Sequence, residues 1–382
     1  MIEINHSKIK ETNRKKIITL LLEKNEITKL DISRILDISI TTVSTNIAEL
    51  KKKGIVEDVR SLESTGGRKA IAIKLDENCK YSIGVALTPK HIKISLVNLK
   101  RKVIENIRIR HNNDGIENII TIIKQNLDLI MKKHDLNPIK LLGVAFSIPG
   151  TVDFKEGIIK YAYLLGVKDF NLKEEFEYLD VPIYVENEAN LSAYYEFLNR
   201  KDKIENLLYI SITDGLGLGI IINGTIYRGC NNSAGELGHT KISIDGRRCK
   251  CGAKGCLEAY TSMNCLIDSY NEETNLNIVD IDEFEERYIL NDKIAQEVLD
   301  KYLNILSLGI SNLTMLLDPN SIVIGGDINN LLKDKIDILK KKVYKDNLFT
   351  NGNSCNISIA SFREAYLLGA AMMPIEEFLE IK

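Results

Sequence analysis

The chain has no tryptophan, only six prolines and few aromatic residues, 6% in all. Set beside its abundance of Ile, Lys and Asn, this bias reads as the mark of an AT-rich genome more than of any activity. No run approaches the roughly 18 apolar residues that a membrane-spanning helix needs, so no such span is expected. The first thirty residues include "NRKKIITLLLEKNEITKL", whose apolar stretches are too short and too interrupted by charge for a secretory h-region. A cytoplasmic location is expected, where thiols stay reduced. A strong net charge is missing too: 51 Lys and Arg face 53 Asp and Glu, for a formal −2. What is present is an ordinary globular composition, 44% apolar and 27% charged, over 382 residues. That length allows two or three domains.

The near-zero net charge hides an asymmetry. Residues 1–75 carry fifteen Lys and Arg against ten Asp and Glu, a surplus of five, and the remainder is acidic. The first segment alone has an electrostatic reason to approach a polyanion. Its pattern agrees. Ile17, Ile18, Leu20, Leu21 and Leu22 recur at helical spacing, and that helix should end near Lys24 and Asn25. In "TKLDISRILDIS", Thr28 is a good N-cap, and Leu30, Ile32, Ile35 and Leu36 offer an apolar face. Ser39 then caps "ITTVSTNIAELKKKG", with Val43, Ile47 and Leu50 inward and a stop at Gly54. The outward residues Thr41, Thr42, Ser44, Thr45 and Asn46 are small and hydrogen-bonding, as a helix reading base edges in a major groove requires. Two strand-like runs follow around "SLESTGGRK", where Gly66 and Gly67 make a turn and Arg68 and Lys69 can reach phosphate. This is a winged helix-turn-helix. A small module for protein contacts is the competing reading.

Three of the seven cysteines fall within eight residues, in "GHTKISIDGRRCKCGAKGCLEAY". His239, Cys249, Cys251 and Cys256 offer one imidazole and three thiols on a loop holding Gly246, Gly252 and Gly255, a closed tetrahedral set for structural Zn2+. Disulfides are the alternative, but Cys249 and Cys251 are too close in sequence to pair comfortably. Three thiolates and Zn2+ sum to −1, and Arg247, Arg248, Lys250 and Lys254 are placed to offset it.

From residue 80 strands alternate with helices, the pattern of an α/β fold. "YSIGVAL", "HIKISLVNL" and "KVIENIRIR" read as a meander and "GIENIITIIKQNLDLIMKKH" as an amphipathic helix. "NLLYISITDGLGLGIIINGTIY" repeats the meander, so two similar halves with a cleft between them are implied. The glycine turns "TDGLGLG" and "GGD" could approach an anion or could only let strands turn. "ENEAN" places Glu186, Asn187, Glu188 and Asn190 at a strand-to-helix junction, where clefts form. Glu236 lies near His239, and Glu258 follows Cys256 by two residues. Carboxylates and amides converging on one pocket suit a polyhydroxy ligand, and solvated loop charges are the bland alternative. A zinc clip would fix Glu236 relative to Glu258, with one His239 nitrogen on metal and the other toward a hydroxyl.

Taken in order, "STGGRK", "SIPGTVD", "ENEANLSAYYE", "GLGLGIIINGTIYRGCNNSAGELGH", "CKCGAKGCLEAY" and "IVIGGDI" resemble the ROK family of repressors and sugar kinases over nearly the whole chain. The resemblance implies a winged helix over residues 1–78, then a two-lobed actin-like, hexokinase-like ATPase fold over 79–382 with its zinc loop at 239–256. It implies zinc on His239, Cys249, Cys251 and Cys256, and sugar contacts from Asn187, Glu236, His239 and Glu258.

Family kinases open this domain with D-x-G-G-T, which aligns here on Ala86, Thr88, Pro89 and Lys90. Proline cannot donate an N–H to phosphate, and the lost carboxylate costs Mg2+ a ligand. Glu188 stands at the position of the kinases' Asp base, and its extra methylene moves a base by about an ångström, which costs roughly 100-fold where positioning matters. Glu188 is therefore expected to bind a sugar hydroxyl, with no catalytic residue assigned. The expected function is a sugar-released repressor of xylose-type utilisation genes, a homodimer or homotetramer on operator DNA. An active sugar kinase with an appended DNA-binding domain is the rival. Control by a phosphotransferase-system protein is a third mode that the resemblance implies.

Overall fold

The computed structural model describes residues 6–60, 71–112, 115–200, 202, 204–345, 348–352 and 354–379. They form two compact units, one of residues 1–146, 172–184 and 370–382, the other of 147–171 and 185–369. Among the described residues no helix is long and apolar enough to cross a membrane.

The first unit begins with α1 (His6–Glu23), β1 (Ile27–Thr28), α2 (Lys29–Leu36) and α3 (Ile40–Lys52), then β2 (Val56–Arg60) and β3 (Ile71–Leu75). β3 lies between β1 and β2, antiparallel to both. Both expected caps form: the Thr28 hydroxyl accepts from the Asp31 N–H and the Ser39 hydroxyl from the Thr42 N–H. Ile17, Leu21, Ile32, Val43, Ile47 and Leu50 close the small core. Two expectations fail here. Leu30 and Ile35 face solvent, at 51% and 55% exposure, so the inward face of α2 rests on Ile32 and half-buried Leu36. Leu30 lies two residues from Ile32, about 200° round the helix. Asn46 is buried, because Val43, Asn46 and Leu50 share the i, i+3, i+7 stripe turned toward the core. Its Nδ2 donates to the Thr42 carbonyl at 2.9 Å. The outward face of α3 is instead Thr41, Ser44, Thr45, Ala48, Glu49 and Lys52. Arg68, Lys69 and the Gly66-Gly67 turn lie outside the described residues.

The unit continues with β4 (Tyr81–Leu87), β5 (His91–Asn98), β6 (Val103–Arg110), α4 (Ile116–Lys133) and β7 (Leu141–Ile148). After Pro149-Gly150 the chain makes a three-stranded sheet of the second unit, β8 (Thr151–Asp153), β9 (Ile158–Ala162) and β10 (Val167–Asn171), paired in chain order and antiparallel. Short α5 (Leu172–Glu175) leads to β11 (Ile183–Asn187) and α6 (Glu188–Asn199). The second meander is β12 (Leu207–Ile212), β13 (Leu216–Ile222) and β14 (Thr225–Ile226). Helices α7 (Glu258–Thr261), α8 (Met263–Thr274), α9 (Ile281–Ile289) and α10 (Lys293–Leu317) precede β15 (Ser321–Gly326), α11 (Asn329–Lys333), α12 (Ile336–Tyr344), β16 (Asn356–Ile359) and α13 (Ala365–Leu379).

One large sheet runs β11-β7-β4-β5-β6, the other β16-β15-β12-β13-β14. In both, a meander is extended on the side of its first strand by two later strands, so the repeat expected from sequence is a repeat of topology. The glycines of "TDGLGLG" serve this packing. A Cβ on Gly219 would stand 2.1 Å from the Ala189 carbonyl oxygen, so bare backbone is what lets β13 lie against the start of α6.

Candidate functional site: a carboxylate-lined cavity beside a Cys3His loop

A cavity of about 210 Å³ lies wholly within the second unit. Asn187, Glu188, Glu236, His239 and Glu258 all line it, as do Cys251 and the turn Thr213–Gly217. Each is held differently. Asn187 caps α6, its Oδ1 accepting from the Ala189 and Asn190 N–H groups and its Nδ2 donating to the Gly150 carbonyl at 2.9 Å. Much of its hydrogen-bonding capacity is thus structural. Glu188 opens α6, and its Oε1 accepts from the Ser211 hydroxyl at 2.6 Å. Burial, then the charge of Glu188, holds the phenols of Tyr209 and Tyr366 protonated, well above the ordinary tyrosine range. Glu186 does not line this cavity. It is buried, accepts from Asn190 Nδ2 and pairs with Arg228 at 2.6 Å.

Glu258 begins α7, and its Oε2 accepts from the Leu216 N–H at 3.1 Å. Its Oε1 lies 3.6 Å from Cys249 Sγ. Glu236 accepts from the Thr151 hydroxyl at 3.2 Å, and its Oε2 lies 3.8 Å from His239 Nε2. The other ring nitrogen, Nδ1, faces Cys249 Sγ at 3.8 Å. Each of these two carboxylates therefore touches one residue of the Cys3His cluster.

The candidate ligand atoms of His239, Cys249, Cys251 and Cys256 lie within 4.8 Å of one another. Cys251 Sγ and Cys256 Sγ are 3.8 Å apart. Tetrahedral thiolates at about 2.3 Å from zinc stand about 3.8 Å from each other, so the residues fit such an ion. The loop is built for the turn: Gly252 and Gly255 take φ of 90° and 73°, and a Cβ on Gly255 would meet the Ser243 carbonyl oxygen. Without metal, burial pushes the Cys249 thiol up to about 12, while the Ala253 N–H draws Cys251 down. The cation beside the cluster is Lys241, whose Nζ reaches Cys256 Sγ at 3.1 Å. Arg247, expected to offset the cluster's charge, turns away to Cys265 Sγ and the Ser269 hydroxyl. Lys241 carries no motif signature of its own, and only the bridge pairing Lys241 with Cys256 brings it there.

Sequence reasoning also missed Thr151, Tyr161, Tyr163, Leu164, Asp214 and Lys250 as cavity residues. The alternating aromatics in "YAYLLG" were the available signal.

In the first unit the turn after β4 satisfies itself. Thr88 Oγ1 donates to the His91 carbonyl and accepts from the His91 N–H, and His111 Nε2 bonds the Thr88 carbonyl at 2.9 Å. Ala86 is fully buried.

Two sheets of one strand order behind a winged helix define a mixed α/β protein with an N-terminal DNA-binding-type module and a hexokinase-like fold. A family model described as the ROK family matches residues 82–376, and one described as winged helix-turn-helix DNA-binding matches 10–57. The chain belongs to the ROK family. It is 27% identical to the xylose repressor of Bacillus spizizenii, over 98% of this chain and 97% of that one. A crystal structure of a ROK transcriptional regulator, a homologue of the Escherichia coli MLC protein, shares its fold at TM-score 0.83, 22% identity and coverage of 97% and 96%. The ROK hexokinase of Thermus thermophilus matches at TM-score 0.67, 22% identity and coverage of 78% and 99%. A transcriptional regulator and a hexokinase thus share this fold.

Proposed function

We propose that the chain is a cytoplasmic, sugar-responsive repressor of xylose-type carbohydrate genes, with residues 1–78 reading operator DNA and 79–382 binding a free monosaccharide. The observation that carries the reading is one chain holding both a helix-turn-helix with a small, polar outward face and a cavity lined by Glu188, Glu236 and Glu258. The full-length relatedness to a protein named xylose repressor supports it. Thr41, Ser44 and Thr45 meet base edges, with Arg68 and Lys69 on phosphate, while the half-buried Thr42, its hydroxyl paired with that of Ser39, stands at the margin of that face. Asn46 shapes the helix from inside. A homodimer or homotetramer would present two such helices to a pseudopalindromic site.

In the cavity, Glu188, Glu236 and Glu258 accept from sugar hydroxyls while Asn187 holds the wall. Zn2+ on His239, Cys249, Cys251 and Cys256 supplies a structural tie and no chemistry on the ligand. His239 Nε2 then holds Glu236, and the fixed loop sets Glu258, two residues beyond Cys256 and accepting from the Leu216 N–H, relative to it. Phosphoryl transfer is not part of this reading, because Ala86 offers no carboxylate and the Thr88-Pro89 turn spends its polar groups on itself.

Fluorescence anisotropy on DNA from upstream of the protein's own gene, titrated with free sugars and separately with their phosphates, tests the reading. One free sugar should release the DNA. DNA binding that no sugar alters would transfer control to a phosphotransferase-system protein, and sugar phosphate formed from ATP would restore the kinase.

A further inference from the structure

Glu188, Glu236 and Glu258 can grip hydroxyls at the rim of a sugar ring, yet carboxylates offer nothing to its apolar faces. The cavity's aromatic surface comes from two side chains that no motif contains. Tyr161 is the penultimate residue of β9 and Tyr163 opens the turn that follows; they are 51% and 58% exposed although both line the cavity. Their rings lie 6.4 Å apart at 49°, forming an angled shelf. Neither hydroxyl makes a hydrogen bond among the described residues.

The shelf is anchored to the motif residues. Thr151 pairs with Tyr161 across β8 and β9, and its hydroxyl donates to Glu236. Gly150 accepts from Asn187, and a Cβ there would stand 2.3 Å from the Tyr161 carbonyl oxygen. The strand bearing Tyr161, with the turn that carries Tyr163, is thereby fixed to the same groups that hold Asn187 and Glu236.

We propose that Tyr161 and Tyr163 form a stacking platform for one face of the bound sugar, and that this platform selects pyranoses whose ring hydroxyls are all equatorial. The inference rests on the sugar reading above and names the class of sugar. An aromatic face is electron-rich and attracts C–H groups. An all-equatorial pyranose presents axial C–H bonds on both faces. An axial hydroxyl pressed against a ring loses its water and gains no acceptor of comparable strength.

Calorimetric titration of the whole protein with D-xylose, D-glucose and D-galactose, whose 4-hydroxyl is axial, tests this. The wild type should prefer the first two over galactose. Tyr161→Ala and Tyr163→Ala should each weaken xylose and glucose by about 10-fold and narrow their lead over galactose. Tyr161→Phe and Tyr163→Phe should restore both affinity and ranking. Because the chain has no tryptophan, Tyr163→Trp gives a single reporter whose emission should shift when xylose binds. Ala variants with wild-type affinity and ranking overturn the inference alone, as does a wild type that prefers galactose. A wild type that binds none of the three overturns the sugar reading and this inference together.

Discussion

A methyl group at position 219 would press on the Ala189 carbonyl oxygen at 2.1 Å and on Ala193 Cβ at 2.7 Å. Backbone cannot step aside as a side chain can. Gly219→Ala should therefore cost about 2 kcal/mol or more in urea denaturation. Gly217, whose Cβ would meet the Ala189 methyl at 3.3 Å, should tolerate alanine at less than about 1 kcal/mol. Equal costs at the two positions would refute the close-approach account. Cys251 is an equally specific test at this scale. It is the exposed thiol of the cluster and also lines the cavity. Cys251→Ser should remove zinc, measured as metal per chain, and weaken sugar binding by at least 10-fold through the freed Glu236 and Glu258. A variant that binds sugar normally without metal would break the link between clip and cavity.

Helix α10 shows how a single cap serves a whole element. Asp292 Oδ1 accepts from the Ile294 and Ala295 N–H groups, and Oδ2 accepts from the Tyr270 hydroxyl at 2.7 Å. The Tyr270 bond first, and the Ala295 N–H after it, hold this carboxyl below the ordinary Asp value. The sign follows: its contribution is present above the unfolded value and fades as pH falls through the lower folded one. Asp292→Ala should cost about 1 kcal/mol at neutral pH, and Asp292→Asn should keep most of the cap while flattening the acid side of a stability-pH curve. Such caps are legible in sequence because their partners lie two or three residues away, as at Thr28 and Ser39. The Cys3His loop was legible because its four candidate ligands fall within residues 239–256. The hairpin carrying Tyr161 and Tyr163 was not, since its place depends on Gly150 meeting Asn187 and Thr151 meeting Glu236, contacts 37 and 85 residues apart. Asn46 and Leu30 were misread because polarity alone does not fix which side of a helix faces the core.

At the scale of the molecule, the outward face of α3 belongs to the first unit and the cavity wholly to the second. The two share no residue, so any effect of sugar on DNA binding is a coupling free energy between two distinct sites. A thousandfold loss of operator affinity on sugar binding needs about 4 kcal/mol of coupling, and sugar must favour the state that holds DNA poorly by that amount. The same quantity must appear in reverse. Saturating the protein with operator DNA should weaken sugar binding by the factor by which sugar weakens DNA binding. Calorimetric sugar titrations with and without operator, set against anisotropy titrations of operator with and without sugar, measure both arms. Equal factors well above one establish the linkage. Factors of one in both would make the cavity and the winged helix independent, and the sugar would not be the effector. Unequal factors would mean that a further equilibrium, such as a change in oligomer size, enters one titration and not the other.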